Sequence, residues 1–115
     1  FCTIVASSDG KMWRHVFNCT LSEEDGSAFN AISYEPTTDT FVAVGTLIAL
    51  SSGSSLNWTV VPQENYPRDL YSCVQLSSLY LMPDRYVAVG NYDMVWQSYN
   101  RGMNWTNFGP TTVKF

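Results

Sequence analysis

The chain is 115 residues long and 45% hydrophobic, with seven Tyr, six Phe and four Trp, which is enough apolar surface for one globular domain with a packed core. Its net charge of −4 comes from only six basic and ten acidic residues, so the sequence offers neither a basic nucleic-acid footprint nor a polybasic membrane patch. The longest apolar run, Phe41 to Leu50, is about half of a bilayer crossing and is broken by Gly45 and Thr46, so it reads as strand rather than membrane span.

The chain opens on Phe1 with no signal-peptide pattern, which leaves a processed leader or an excerpt of a longer chain as alternatives. Cys2 to Ser7 reads as a strand, Asp9-Gly10 as a hairpin turn and Met12 to Phe17 as the returning strand. Leu21 to Ser27 turns to Ser, Glu, Asp and Gly, and no apolar period follows, so Glu23, Glu24 and Asp25 read as a solvated loop rather than a cation site. Ala28 to Tyr34 alternates as a strand, residues 35–39 form a turn cluster, and Phe41 to Gly45 is an apolar strand of the kind buried on both faces. Ile48 to Ser51 and Trp58 to Val61 form the next hairpin around the Ser/Gly segment 51–55.

Pro62 to Asp69 is a connection, and the order then repeats. Leu70 to Leu76, a turn around Met82-Pro83-Asp84, Arg85 to Gly90, Met94 to Ser98 and Trp105 to Phe108 make the third set of strands, and Thr111 to Phe115 reads as the opening of another. No stretch sustains a helical period. The two fuller copies carry Phe41-Val42-Ala43-Val44-Gly45 with Asn57-Trp58-Thr59, and Tyr86-Val87-Ala88-Val89-Gly90 with Asn104-Trp105-Thr106.

Trp13, Trp58 and Trp105 mark units 45 and 47 residues apart, inside the range for four-stranded propeller blades. The expected fold is therefore all-β: two and a half four-stranded propeller-type blades, an incomplete β-propeller. It divides as a half blade over 1–20, blades over 27–62 and 69–109, and the start of a next strand over 111–115. Propellers close with about four to eight blades, so this chain does not close alone.

The cysteines and sequons bear on compartment. If the first turn is centred between Gly10 and Lys11, residues whose numbers sum to twenty-one face each other and Cys2 meets Cys19. A bridge there stabilises by about 3 kcal/mol in the chain-entropy model and implies an oxidising compartment; two reduced cysteines in strands are the alternative. Cys73 aligns with Ala31 of the earlier copy and reads as a buried free thiol. Asn18, Asn57 and Asn104 each begin an Asn-x-Thr sequon, readable as glycosylation sites or as turn chemistry. Together these features favour an extracellular, secreted protein.

The hairpin Ser98-Tyr99-Asn100-Arg101-Gly102-Met103-Asn104-Trp105 resembles the Asp-box, or bacterial neuraminidase repeat, Ser-x-Asp-x-Gly-x-Thr-Trp, with Asn100 in place of Asp and Asn104 in place of Thr. Ser7, Asp9, Gly10 and Trp13 keep the pattern one residue short, and Ser51 and Trp58 keep only its ends. The resemblance implies a structural turn between the third and fourth strands of a blade, its acidic side chain bonding turn amides and its Trp packing in the blade. A sialidase would also need an arginine cluster, a Tyr/Glu pair and an acid/base Asp. Arg14, Arg68, Arg85 and Arg101 sit in no matching context, so no catalytic role carries over.

Other chemistry is sparse. His15 is the only histidine, which removes a multi-His metal site and leaves a Ser/His/Asp arrangement as coincidence. No phosphate loop or cofactor motif is present. Tyr92, Trp96 and Tyr99 could stack on a sugar, although Trp96 in a strand reads rather as packing between blades.

The leading expectation is an extracellular non-enzymatic structural or interaction protein whose units are completed by neighbouring copies, as a ring or filament, or by the rest of a longer chain. The alternative is a fragment of a sialidase-like or other carbohydrate-binding propeller, with glycans as ligands. An assembly factor with similar boxes would lack glycans and keep its cysteines reduced. Intact mass separates these: secreted material is expected to lose mass with peptide N-glycosidase and to gain two hydrogens on reduction as the Cys2–Cys19 bridge opens.

Overall fold

Three alternating apolar stretches separated by turn residues fold as three antiparallel sheets in the computed structural model, which describes residues 3–18, 29–52, 57–62, 65–66, 76–90 and 94–107. The first sheet is a hairpin of β1 (Thr3–Ala6) and β2 (Arg14–Asn18). The second contains β3 (Phe29–Glu35), β4 (Thr40–Gly45), β5 (Ile48–Ser52) and β6 (Trp58–Val60), paired in that order. The third contains β7 (Leu76–Met82), β8 (Arg85–Gly90), β9 (Val95–Ser98) and β10 (Thr106–Asn107), again in chain order. The chain is all-β, as composition and alternation required.

The two larger sheets are built to one register. Phe29 pairs with Gly45 and Ala31 with Val44, passing over Asn30, while Leu76 pairs with Gly90 and Ser78 with Val89, passing over Ser77. Val42 faces Leu50 as Val87 faces Gln97, and Leu50 faces Thr59 as Gln97 faces Thr106. Each sheet therefore has one bulge at the same place in its first strand, where the extra residue increases local twist.

Of the strand expected over Leu70 to Leu76 only Leu76 lies among the described residues, and the expected strand did not extend to Met82. The first strand of the third sheet is Leu76–Met82, and Met82 pairs with Arg85 across a two-residue Pro83-Asp84 turn. The repeat spacing accounts for two residues of the difference. The turn before β8 is two residues shorter than its counterpart at 36–39, while the loop between β8 and β9 is two residues longer than the one between β4 and β5. Alignment on Val-Ala-Val-Gly thus carries an offset of 45, whereas both flanking strands carry 47. Ser78, not Cys73, is the counterpart of Ala31; Cys73 itself lies outside the described residues, as do the acidic loop at 23–25 and the tail 111–115.

The core lies between the two four-stranded sheets. Val42, Val44, Ile48 and Val61 from one pack with Leu76, Tyr86, Ala88, Met94, Trp96 and Trp105 from the other, and Leu50, Leu79 and Leu81 close its margins. β4 is buried on both faces from Val42 to Gly45, as its unbroken apolar run anticipates. Edges of the two sheets meet where Asn30 Nδ2 donates to the Leu76 carbonyl at 2.9 Å, and the Thr38 hydroxyl lies 3.4 Å from the Tyr86 hydroxyl. Between the sheets, the connection through Asn65 and Tyr66 is pinned: Asn65 O accepts from Trp105 N–H at 2.9 Å, and the Tyr66 hydroxyl accepts from Ile48 N–H at 2.7 Å. Tyr66 also stands against Trp96 at 5.6 Å between ring centroids, and burial pushes its hydroxyl pKa up to about 12.

Gly102 is the point of closest approach. Its φ of +89° favours glycine, and a Cβ built there would lie 2.8 Å from Leu50 Cδ2 of the neighbouring sheet. Gly102→Ala should cost about 1–3 kcal/mol from backbone strain and displacement of Leu50. Trp105→Ala should cost about 3–5 kcal/mol, because the indole is nearly fully buried. Urea titration of both variants checks the order.

Candidate functional site

The residues singled out by the sequence gather in three places: the turn Ser7–Trp13, the turn Ser51–Trp58 and the turn Ser98–Trp105. In the first, the Ser7 hydroxyl donates to Asp9 Oδ1 at 3.0 Å and accepts the Asp9 and Gly10 N–H groups at 3.2 and 2.8 Å. Asp9 Oδ1 in turn accepts the Lys11 and Met12 N–H groups at 2.8 and 3.0 Å. Gly10 takes φ +76°, the left-handed conformation that lets the loop close in so few residues. One serine and one carboxylate thereby satisfy four backbone donors.

The third turn repeats the circuit with one more residue. The Ser98 hydroxyl donates to Asn100 Oδ1 at 3.0 Å and accepts Gly102 N–H at 2.8 Å, while Asn100 Oδ1 accepts Asn104 N–H at 3.0 Å. Asn100 Nδ2 donates to Asn104 Oδ1 at 2.9 Å. The two asparagines form a reciprocal pair, in which a carboxylate at 100 would instead face an acceptor oxygen. Trp105 Nε1 donates to Gly102 O at 2.7 Å, so the buried indole is tied to the turn that precedes it. In the second turn, Ser51 is buried and donates to Ser52 O at 3.1 Å. Residues 53–56 lie outside the described part, and Trp58 Nε1 meets no acceptor among the described residues.

Burial of the three tryptophans differs although their registers correspond. Trp105 is 3% exposed, Trp58 is half-buried and Trp13 is 61% exposed. The third turn is covered by the neighbouring sheet, through Leu50 on Gly102, whereas the position of a Cβ at Gly10 has nothing within 4 Å. The first turn is thus the same device without its cover.

Beside the first hairpin runs an apolar cleft of about 760 Å³, bounded by Ile4, Val5 and Ala6 of β1, by Trp13, and by Ile32, Phe41 and Trp58 of the second sheet. Ile32 is 55% and Tyr34 42% exposed on that sheet. The Tyr34 hydroxyl donates to Asp39 Oδ1 at 2.6 Å, a bond to a carboxylate that raises its pKa, with partial desolvation adding to it. Ile32 and Phe41 did not stand out in the sequence as site residues. Their only signal was the strand count, two in the first unit against four in the others.

The sequon asparagines Asn18, Asn57 and Asn104 are all exposed, and Asn18 Oδ1 accepts from the Thr3 hydroxyl at 3.0 Å. Cys2 and Cys19 lie outside the described residues. The neighbouring pairs Thr3 with Asn18 and Ile4 with Phe17 follow the expected register, which then shifts by one as Val5 pairs with His15. Trp96 is 3% exposed in the core and presents no ring to a sugar, and Tyr92 lies outside the described residues. Arg14, Arg85 and Arg101 stand on separate elements and all are exposed. Among the described residues no group of three His, Cys, Asp or Glu could hold a metal ion, and no helix is long and apolar enough to cross a membrane.

Comparison with protein families, with curated proteins and with solved structures found no match.

The first turn should be acid-sensitive. The Met12 and Lys11 N–H groups and the Ser7 hydroxyl hold the Asp9 carboxyl below the ordinary Asp range. A depressed folded-state pKa contributes stability that is present above the unfolded value and lost as pH falls through the folded one. NMR titration should place Asp9 below an ordinary Asp, with the Lys11 and Met12 amides moving at the same midpoint, and the Asn100 turn should show no such step.

Proposed function

We propose that this chain is an extracellular, non-enzymatic structural or interaction module. In this reading its sheets are propeller-type blades with Asp-box-like turns, completed from outside residues 1–115 by neighbouring copies, as a ring or filament, or by the rest of a longer chain. The observation that carries it is the two-stranded β1–β2 sheet beside two four-stranded sheets of matching order and register. Consecutive packed units sharing one strand order fit propeller blades, and the repeated serine–Asp/Asn turn fits the structural role of the box. The secretory assignment draws on the three exposed sequon asparagines.

The turns support no catalytic reading. Ser7, Asp9, Ser98 and Asn100 are occupied in holding backbone donors, and the hydroxyls of Ser7 and Ser98 donate to Asp9 and Asn100 of their own turns.

Hydrogen exchange combined with native mass measurement tests the proposal. In the isolated chain at high dilution, amides of β1 and β2 should exchange much faster than those of β4 and β8, and association should slow them. A stable 12.9 kDa monomer in which β1–β2 is as protected as β4 would overturn it, since no unit would then await completion.

A further inference from the structure

We infer that the outer edge of β1, with the cleft beside it, is a binding surface for an antiparallel strand pair of this chain's own repeat type, supplied by repeat sequence outside residues 1–115. The inference rests on the reading of β1–β2 as half of a unit. It goes further by naming the surface, the residues that receive the partner and the partner's chemistry.

Register identifies the vacant edge. Val5 faces His15 as Ala49 faces Val60, and Ala6 faces Arg14 as Leu50 faces Thr59, so β1 corresponds to β5 and β2 to β6. On its other side β5 is paired with β4, whereas among the described residues nothing pairs with the other side of β1. The sequence of β1, Thr3-Ile4-Val5-Ala6, has no charge and no proline, and the irregularity of this hairpin falls on β2, where Val16 is passed over. Exposed edges are ordinarily blunted by charge, proline or bulges. β2 carries Arg14, His15 and the bulge, so β1 is the edge left able to pair.

The facing surface carries the same message. By register Ile32 and Tyr34 correspond to Leu79 and Leu81. Those leucines pack against a core that includes Val42 and Val44 of the neighbouring sheet, with Ala31 at its margin. Ile32 and Tyr34 look instead toward the side of the sheet that borders the cleft, where the described residues include no corresponding strand pair, and both are exposed. A strand pair on β1 would extend the hairpin to four strands and bring its own counterparts of Ala31, Val42 and Val44 over Ile32 and Phe41. The partner is therefore a β-hairpin with small or β-branched apolar residues at alternate positions on one face. This is strand addition at a sheet edge, with ladder hydrogen bonds supplying affinity and the cleft supplying side-chain selection.

Among the described residues a second folded copy offers no such pair. β3–β4 and β7–β8 are already inside complete sheets, and Val42, Val44, Tyr86 and Ala88 are buried there to within about one per cent.

The test uses the full chain and a synthetic peptide with the sequence of residues 29–45, which carries the first strand pair of this repeat, with its Val42→Pro form as control. Saturable one-to-one binding is expected by calorimetry, with slowed exchange of the β1 amides. Ile32→Glu should weaken binding at least about tenfold, because a carboxylate would be buried unpaired. Tyr80→Glu, a change on the opposite face of the third sheet at a 61% exposed side chain, should leave binding unchanged. Absence of binding while β1–β2 still exchanges rapidly overturns this inference and leaves the half-unit reading standing. Binding insensitive to Ile32→Glu overturns the assigned surface. Displacement of the peptide by excess folded chain would put a second copy on the edge and overturn the assigned partner.

Discussion

The packing of one four-stranded sheet on the other is the interaction on which the rest depends. Neither sheet buries its apolar face alone; Val42, Val44 and Ile48 become fully buried only against Tyr86, Ala88, Trp96 and Trp105 of the next sheet. At roughly 25 cal/mol per Å² of apolar area removed from water, these side chains outweigh any single hydrogen bond in the molecule. The turn at Ser98–Trp105 belongs to this contact, since Gly102 has no side chain where Leu50 arrives and Trp105 is held by the carbonyl of Gly102.

The turns and the sheets are coupled through that contact. A serine and an Asp or Asn gather the backbone donors of a tight loop, which fixes where the following tryptophan enters its strand. Where a neighbouring sheet lies over the turn, the tryptophan becomes core; where none does, the same loop forms and the indole stays in solvent, as at Trp13. Local hydrogen bonding is thus enough to make the loop, and burial is added by the neighbour. The proposed role as a unit completed from outside is the functional counterpart of this separation.

Much was legible in advance because its causes are local. Alternating apolar residues, Asp9-Gly10, the 35–39 cluster and Val-Ala-Val-Gly located nine of the ten described strands to within two residues at each end. The exception, β7, was read only at its first residue; two compensating length changes, one in each turn flanking β8, hide part of the true spacing unless the pairing is known. The cleft at Ile32 and Phe41 was not legible for a similar reason. An apolar residue in a strand reads as core until the structure shows which sheet, if any, lies over it.

By itself the sequence determined the all-β class, the repeat and the chemistry of the turns, since alternation, turn residues and the Ser, Asp, Asn and Gly positions act over a few residues. Only the tertiary structure decided which tryptophan is core and which is exposed, which residue corresponds to Ala31, and that no described strand pairs with the outer side of the uncharged β1. Those outcomes depend on contacts between residues far apart in the chain, such as Leu50 on Gly102 and Asn30 on Leu76, and no local pattern encodes them.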